Sequence, residues 1–177
     1  MTQPNDMHFM GIALEEAQKG ARAEEIPIGA VLVLGGKVMA RNHNRCVTTG
    51  DPTAHAEIVV IREAAKRLRN YRLLGSVLYV TVEPCVMCVG AMIHARISRL
   101  VFGAPEEETG MVQSRLALLD GSLFNHRIET VGGIRVEECR QLLQGFFRER
   151  REKTVQPELC LERSGDILQE ADPLYLV

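Results

Sequence analysis

Two short stretches carry residue types that can do chemistry together. "TAHAE" holds His55 and Glu57, and "EPCVMCVG" holds Cys85 and Cys88. Residues three apart share a helical face, so both sulfurs of a helical C-x-x-C can grip one ion. At a helix start, unpaired backbone N–H groups and the positive dipole end favour thiolate over thiol. Alone, the pair reads equally as a metal site or a redox dithiol. His55, at a second helix start, supplies a third ligand. One imidazole and two thiolates suit zinc, and three protein ligands leave the fourth tetrahedral position to water. Two thiolates cancel the formal charge of Zn²⁺ and acidify that water less than three histidines do. A neighbouring carboxylate therefore has a proton to take, and Glu57 in a frayed first turn is the candidate base. Separately, His55 reads as an ordinary histidine and Glu57 as a solvated helix acid. The combination of H-x-E with P-C-x-x-C is what makes the pattern specific.

Such a site needs two helix starts brought to one place. "AHAEIVVIREAAKRLRN" puts Ile58, Ile61 and Ala65 at helical intervals, which predicts an amphipathic helix over residues 54–70. Thr53 is its expected cap, with no acid at the third position beyond to complete a capping box. Pro84 is expected to open a second helix, "PCVMCVGAMIHAR", because proline suits a first turn. That helix follows "SVLYVTVE", an apolar, β-branched run typical of a strand covered on both faces. Earlier, "MHFMGIALEEAQKGA" has helical spacing. "IPIGAVLVLGGKVMARN" reads as two strands joined by Gly35-Gly36, a favoured hairpin turn. Residues 42–52 are expected to form a loop. "RLVFGA" and "RIETVGG" read as short strands, and "IRVEECRQLLQGFFRERREK" as a long last helix. Residues 105–125 read as irregular, with one helical turn at Leu116 to Leu119. Alternating strands and helices predict an α/β architecture with helices on both faces of a sheet.

The composition sets outer bounds. At 177 residues, 46% hydrophobic and 25% charged, the chain suits one globular domain with its own core. No stretch approaches the roughly 18 uninterrupted apolar residues of a membrane span. The first twenty residues lack the features of a secretory signal, so a cytoplasmic setting is expected. Five cysteines do not suggest a disulfide framework, and Cys46, Cys139 and Cys160 read as small buried hydrophobes. The net charge of −2 argues against a broadly basic nucleic-acid binder. It hides an asymmetry: residues 155–177 carry −4, leaving +2 on residues 1–154. The expected organisation is a domain over 1–154 and an acidic tail over 155–177.

The H-x-E and P-C-x-x-C pattern resembles the zinc-dependent cytidine and nucleotide deaminase superfamily. Within it, "IPIGAVLV", the Asn44 loop, "DPTAHAEI", "EPCVMCVGAMIHARI", "VFGAPEEETG", "FNHRIE" and "FFRERR" resemble the bacterial tRNA-specific adenosine deaminases. The similarity covers about residues 7–153. Guanine and cytosine deaminases share the metal pattern but have less similar flanks. The resemblance implies a three-layer α/β/α cytidine-deaminase-like fold with a central mixed five-stranded sheet. It implies one Zn²⁺ per subunit on His55, Cys85 and Cys88, with Glu57 as the proton shuttle. The implied reaction is hydrolytic deamination at C6 of adenine, giving inosine at the wobble position of an arginine tRNA. The implied partners are the tRNA anticodon loop, with its bases splayed out, and a second copy in a homodimer.

Asn44 matches the family's loop asparagine that hydrogen-bonds the flipped base; on its own it reads equally as a turn residue. The resemblance places Ile28, Gly29 and Ala30 beside the base, with Gly29 allowing close backbone approach. Pro84 completes the expected substrate contacts. Ala104–Gly110 matches a loop that holds RNA, yet carries Glu106, Glu107 and Glu108, which repel phosphate. The acidic tail is a second departure. Candidate phosphate contacts are Arg67, Arg69 and Arg72, and separately Arg148, Arg150, Arg151 and Lys153, each of which alone reads as a solvated helix face. His94 and His126 are assigned no part in the chemistry. Two other functions share the metal pattern: a free guanine or cytosine deaminase, and a zinc-stabilised RNA-binding module without catalysis. Glu57 argues against the last, since a structural site needs no base.

Overall fold

The computed structural model describes residues 2–120 and 123–154. Helix α1 (Asp6–Arg22) leads into strands β1 (Gly29–Leu34) and β2 (Lys37–His43). Then come α2 (Cys46–Thr49), α3 (Ala56–Leu68), β3 (Ser76–Val82), α4 (Val86–His94), β4 (Arg99–Ala104), β5 (Glu129–Val131) and α5 (Val136–Thr154). The strands form one sheet in the order β2-β1-β3-β4-β5. β1 runs antiparallel to β2 and β3, whereas β4 runs parallel to β3 and β5. The sheet is therefore mixed and five-stranded, as expected.

Side chains alternate across a strand, and both faces here are apolar. Leu32, Leu78 and Leu100 pair in one row and pack with Ala56, Val60, Val89 and Met92 from α3 and α4. The adjacent row, Val31, Tyr79 and Val101, packs with Phe9, Met10 and Ala13 of α1 and Cys139 of α5. Three layers result. Gly35 and Gly36 both take left-handed φ, 57° and 75°, as a two-residue hairpin turn requires. No helix among the described residues is long and apolar enough to cross a membrane.

Strand direction decides where the chemistry collects. β3 and β4 end at the same sheet edge, and antiparallel β1 begins there. The Gly29↔His43 pairing brings the end of β2 to it as well. Helices α3 and α4 both start at that edge.

Several local expectations need correction. Residues 42–52 contain the short helix α2 rather than only loop. Thr53 does not cap α3: its hydroxyl donates to Asp51 Oδ1, and His55 occupies the N-cap. Pro84 precedes α4, whose N-cap is Cys85. Leu116 to Leu119 makes turns and no helix; Leu118 N–H bonds back to the Met111 carbonyl. The acidic tail lies outside the described residues.

Candidate active site

Both helices that begin at the shared edge offer their N-cap residue to it. An N-cap side chain ordinarily accepts a bond from its own helix's first N–H groups. His55 and Cys85 do not; each has extended backbone, and its side chain makes no capping bond. The two side chains turn towards each other instead. His55 Nδ1 lies 3.7 Å from Cys85 Sγ and 3.6 Å from Cys88 Sγ. Ligand bonds of about 2.3 Å to sulfur and 2.0–2.1 Å to nitrogen, at tetrahedral angles, put N and S about 3.6 Å apart. The three donors therefore fit a tetrahedral zinc site, and all lie within 4.8 Å of one another.

The electrostatics of the trio agree with its donor chemistry. A hydrogen bond from Cys88 brings the Cys85 thiol down to about 4. Giving that bond, together with burial, pushes Cys88 up. One negative charge is thus shared between two sulfurs. His55 is raised, first by its bond with Cys85 and against the effect of burial. A dication would displace the protons that these groups hold.

Glu57, in the first turn of α3, is 3% exposed. Burial raises its carboxyl above the usual range, opposed by a bond from its own N–H and by His55. Such a carboxyl, sitting beside a metal-type cluster, suits a proton carrier. His55, Glu57 and Cys85 line one cleft of about 330 Å³, together with Ile28 and Asn44. Asn44 Oδ1 accepts the Ala56 N–H at 2.8 Å, satisfying the α3 start that His55 leaves uncapped. Its amide nitrogen is thereby turned the other way, and makes no hydrogen bond among the described residues.

Not every expected substrate contact reaches the cleft. Ala30 is fully buried in the core. A Cβ on Gly29 would overlap the Ala13 carbonyl and the Ala17 amide, so the close approach there is to α1. Pro84 is buried beside the cleft, its carbonyl accepting the Met111 N–H at 3.0 Å. Arg67 donates to the Met39 carbonyl at the far end of α3, about 18 Å from His55 by helical rise. Arg72 stacks on Tyr71 in a separate groove. By contrast, Leu143 and Phe147 of α5 line the cleft. Arg148 and Arg151 continue into an adjoining groove that also contains Glu106 and Glu108. The acids of that loop therefore face the basic end of α5.

Two buried carboxylates were missed in the sequence. Glu25 accepts the N–H groups of Val47 and Thr48 at 3.2 and 2.7 Å, and the Thr48 hydroxyl, anchoring α2 as one wall. Glu83 accepts N–H groups from Glu106, Val112, Gln113 and Ser114, anchoring the opposite wall. Their only signal was an acid directly beside an apolar run.

Residues 4–151 match the family model of MafB19-like deaminases. A Haemophilus influenzae tRNA-specific adenosine deaminase is 48% identical across 91% of this chain and 94% of that protein. A Bacillus subtilis relative of the same name is 46% identical across 86% and 94%. This chain belongs to the tRNA-specific adenosine deaminase family. A solved structure from work on A-to-I editing by tRNA:A34 deaminases shares 45% identity and a TM-score of 0.75, over 77% of this chain and 99% of that one. The guanine deaminase of Nitrosomonas europaea, at 24% identity and a TM-score of 0.70, covers 82% and 85% and shares the fold.

Proposed function

We propose that this chain hydrolytically deaminates adenosine to inosine at the wobble position of tRNA, with an arginine tRNA as substrate. The observation that carries the reading is the grouping of His55, Cys85 and Cys88 as three donors, with His55, Cys85 and Glu57 lining one cleft of about 330 Å³. Membership of a family whose named relatives act on tRNA adenosine supports it. His55, Cys85 and Cys88 would hold one Zn²⁺ per chain. Bound there, zinc supplies Lewis acidity that lets water act as a nucleophile near neutral pH.

The chain's own residues handle protons and orientation. Glu57 takes a proton from the attacking water and delivers it to the adenine ring nitrogen as C6 becomes tetrahedral. A second proton transfer releases ammonia. Its raised carboxyl suits a group that must both accept and donate. Asn44, its oxygen committed to Ala56, offers its amide nitrogen as a donor to the base. Ile28 gives the base an apolar wall. Phe147 stands at the mouth, where an aromatic face can stack an unpaired base. Arg148 and Arg151 lie next along α5, placed for the backbone phosphates.

The same reading covers assembly, setting and organisation. The catalytic unit comprises residues 1–154, with 155–177 as an appended acidic tail. A homodimer in the cytoplasm holds the anticodon loop. The groove where exposed Tyr71, Leu123 and Phe124 stand among Arg72, His94 and Arg96 supports it as a mixed apolar and basic face for a second copy. Incubation with total tRNA, followed by inosine mapping by sequencing, tests the reaction. Inosine at one wobble adenosine is expected. Release of ammonia from free guanine or cytosine with the tRNA untouched selects a free-base deaminase. RNA binding that needs zinc but changes no base selects the non-catalytic module.

A further inference from the structure

Residues 105–114 form one wall of the cleft but belong to no helix or strand. No backbone ladder determines their path, so their N–H groups must find other acceptors. One side chain supplies four of them. Glu83, 3% exposed, accepts from Glu106 N at 3.1 Å with Oε2, and from Val112, Gln113 and Ser114 N at 2.9, 2.7 and 3.0 Å with Oε1. The Ser114 hydroxyl also donates to Oε2. Only a carboxylate offers two oxygens, and no donor, to five such groups.

Glu83 also stands directly before Pro84 and Cys85. Its own N–H donates to the Ala104 carbonyl at 2.9 Å, and the next carbonyl, of Pro84, accepts Met111 N–H. The junction that carries Cys85 and the loop that carries Glu106, Glu108 and Thr109 are thus held as one body. Gly110 lies close against the clasp: a Cβ there would meet the Glu106 carbonyl oxygen first and then Glu83 Cδ, at 2.6 Å.

We propose that Glu83 is a positioning residue that sets the substrate-side wall relative to the reacting centre, without itself touching the reacting atoms. The proposal extends the deaminase reading and rests on it only for its kinetic arm. His55, Cys85 and Cys88 keep their own helix starts, with Val59 N–H on the His55 carbonyl and Val89 N–H on the Cys85 carbonyl, both at 2.9 Å. Loss of the clasp therefore misplaces the wall and spares the metal-type cluster.

The test is Glu83→Gln in the full chain, which keeps the shape but turns an NH₂ towards donors. Amide exchange followed by NMR is expected to quicken about tenfold or more at Glu106, Val112, Gln113 and Ser114, with α3 and α4 unchanged. For an anticodon stem-loop, KM is expected to rise about tenfold while kcat stays within about threefold. Bound zinc is expected to be unchanged. Amides as protected as in the wild type overturn the proposal, and so does an unchanged KM once they are freed. Loss of zinc, or of protection throughout α3 and α4, also overturns it, because Glu83 would then hold the core. Glu83→Asp keeps the charge but shortens its reach, is expected to give the same pattern, and decides alone if Glu83→Gln is insoluble. A wild-type chain that leaves the stem-loop unedited overturns the deaminase reading instead, and the exchange arm still decides the clasp.

Discussion

Glu57 is the residue on which catalysis and mere metal binding diverge. It is buried beside the His55–Cys85–Cys88 group, yet is not one of the three donors that converge. Glu57→Gln is expected to lower the rate of inosine formation by about 10²–10⁴. Zinc content by elemental analysis and the thermal midpoint should stay near the wild type. A variant that retains turnover would assign the proton to another group. The three proposed ligands are expected to behave differently, because losing any one leaves too few donors to hold the ion. Cys88→Ser is expected to abolish both bound zinc and inosine formation. Stripping the wild type with a chelator is expected to abolish activity, and added Zn²⁺ to restore it.

At the scale of elements, two contacts hold the layers that position the site. Gly29 lets β1 lie against α1 with no side chain between them. Gly29→Ala forces α1 outward and is expected to cost about 3 kcal/mol by overpacking, read from denaturant unfolding. The second contact lies under α1, where Asp6 takes two bonds from the Arg99 guanidinium at 2.8 and 2.9 Å and one from the Tyr79 hydroxyl. Burial alone would raise the Asp6 carboxyl, but those bonds and the Gln3 N–H outweigh it and hold it below its ordinary 3.8. A depressed carboxyl contributes stability that is fully present above its unfolded value and is lost as pH falls through the folded one. The wild type is thus expected to lose stability below about pH 4. Asp6→Asn is expected to flatten that acid limb and to cost about 3 kcal/mol at pH 7, since Arg99 stays buried. An unaltered acid limb in unfolding curves would remove Asp6 from that role.

For the molecule as a whole, the question is which surface meets RNA. The basic end of α5 adjoins the cleft, while the end of α3 lies about 18 Å from the site by helical rise. Arg148→Ala and Arg151→Ala are therefore expected to raise KM for tRNA several-fold whatever the anticodon sequence. Each is expected to shallow the salt dependence of binding by about 0.7 in log–log slope, as for one lost single-strand phosphate contact. Arg67→Ala, whose guanidinium is engaged with Met39, is expected to change neither. Equal effects from both groups would mean that RNA wraps further around the molecule.

Much of this was legible in the sequence for identifiable reasons. The continuous apolar run in "SVLYVTVE" and the helical spacing in "AEIVVIREA" follow from backbone geometry, so the layers could be read. The pair Gly35-Gly36 predicted its own turn. The types and spacing of His55, Glu57, Cys85 and Cys88 pointed to a metal-type site with a base, because few donor sets suit one ion, and the fold brings the three donors within 4.8 Å of one another. What the tertiary structure decided are relations between distant segments. Asn44, not Thr53, serves the start of α3, because strand pairing carries the end of β2 to that helix. Gly29 turned out to serve α1, and the acids at Glu106 and Glu108 to face α5. Glu25 and Glu83 read as ordinary charges until folding buried them among the N–H groups of segments 22 to 31 residues away. A sequence specifies local periodicity and donor chemistry through bonded geometry. Which loop meets which carboxylate depends on how the layers close, and only the closed molecule contains that contact.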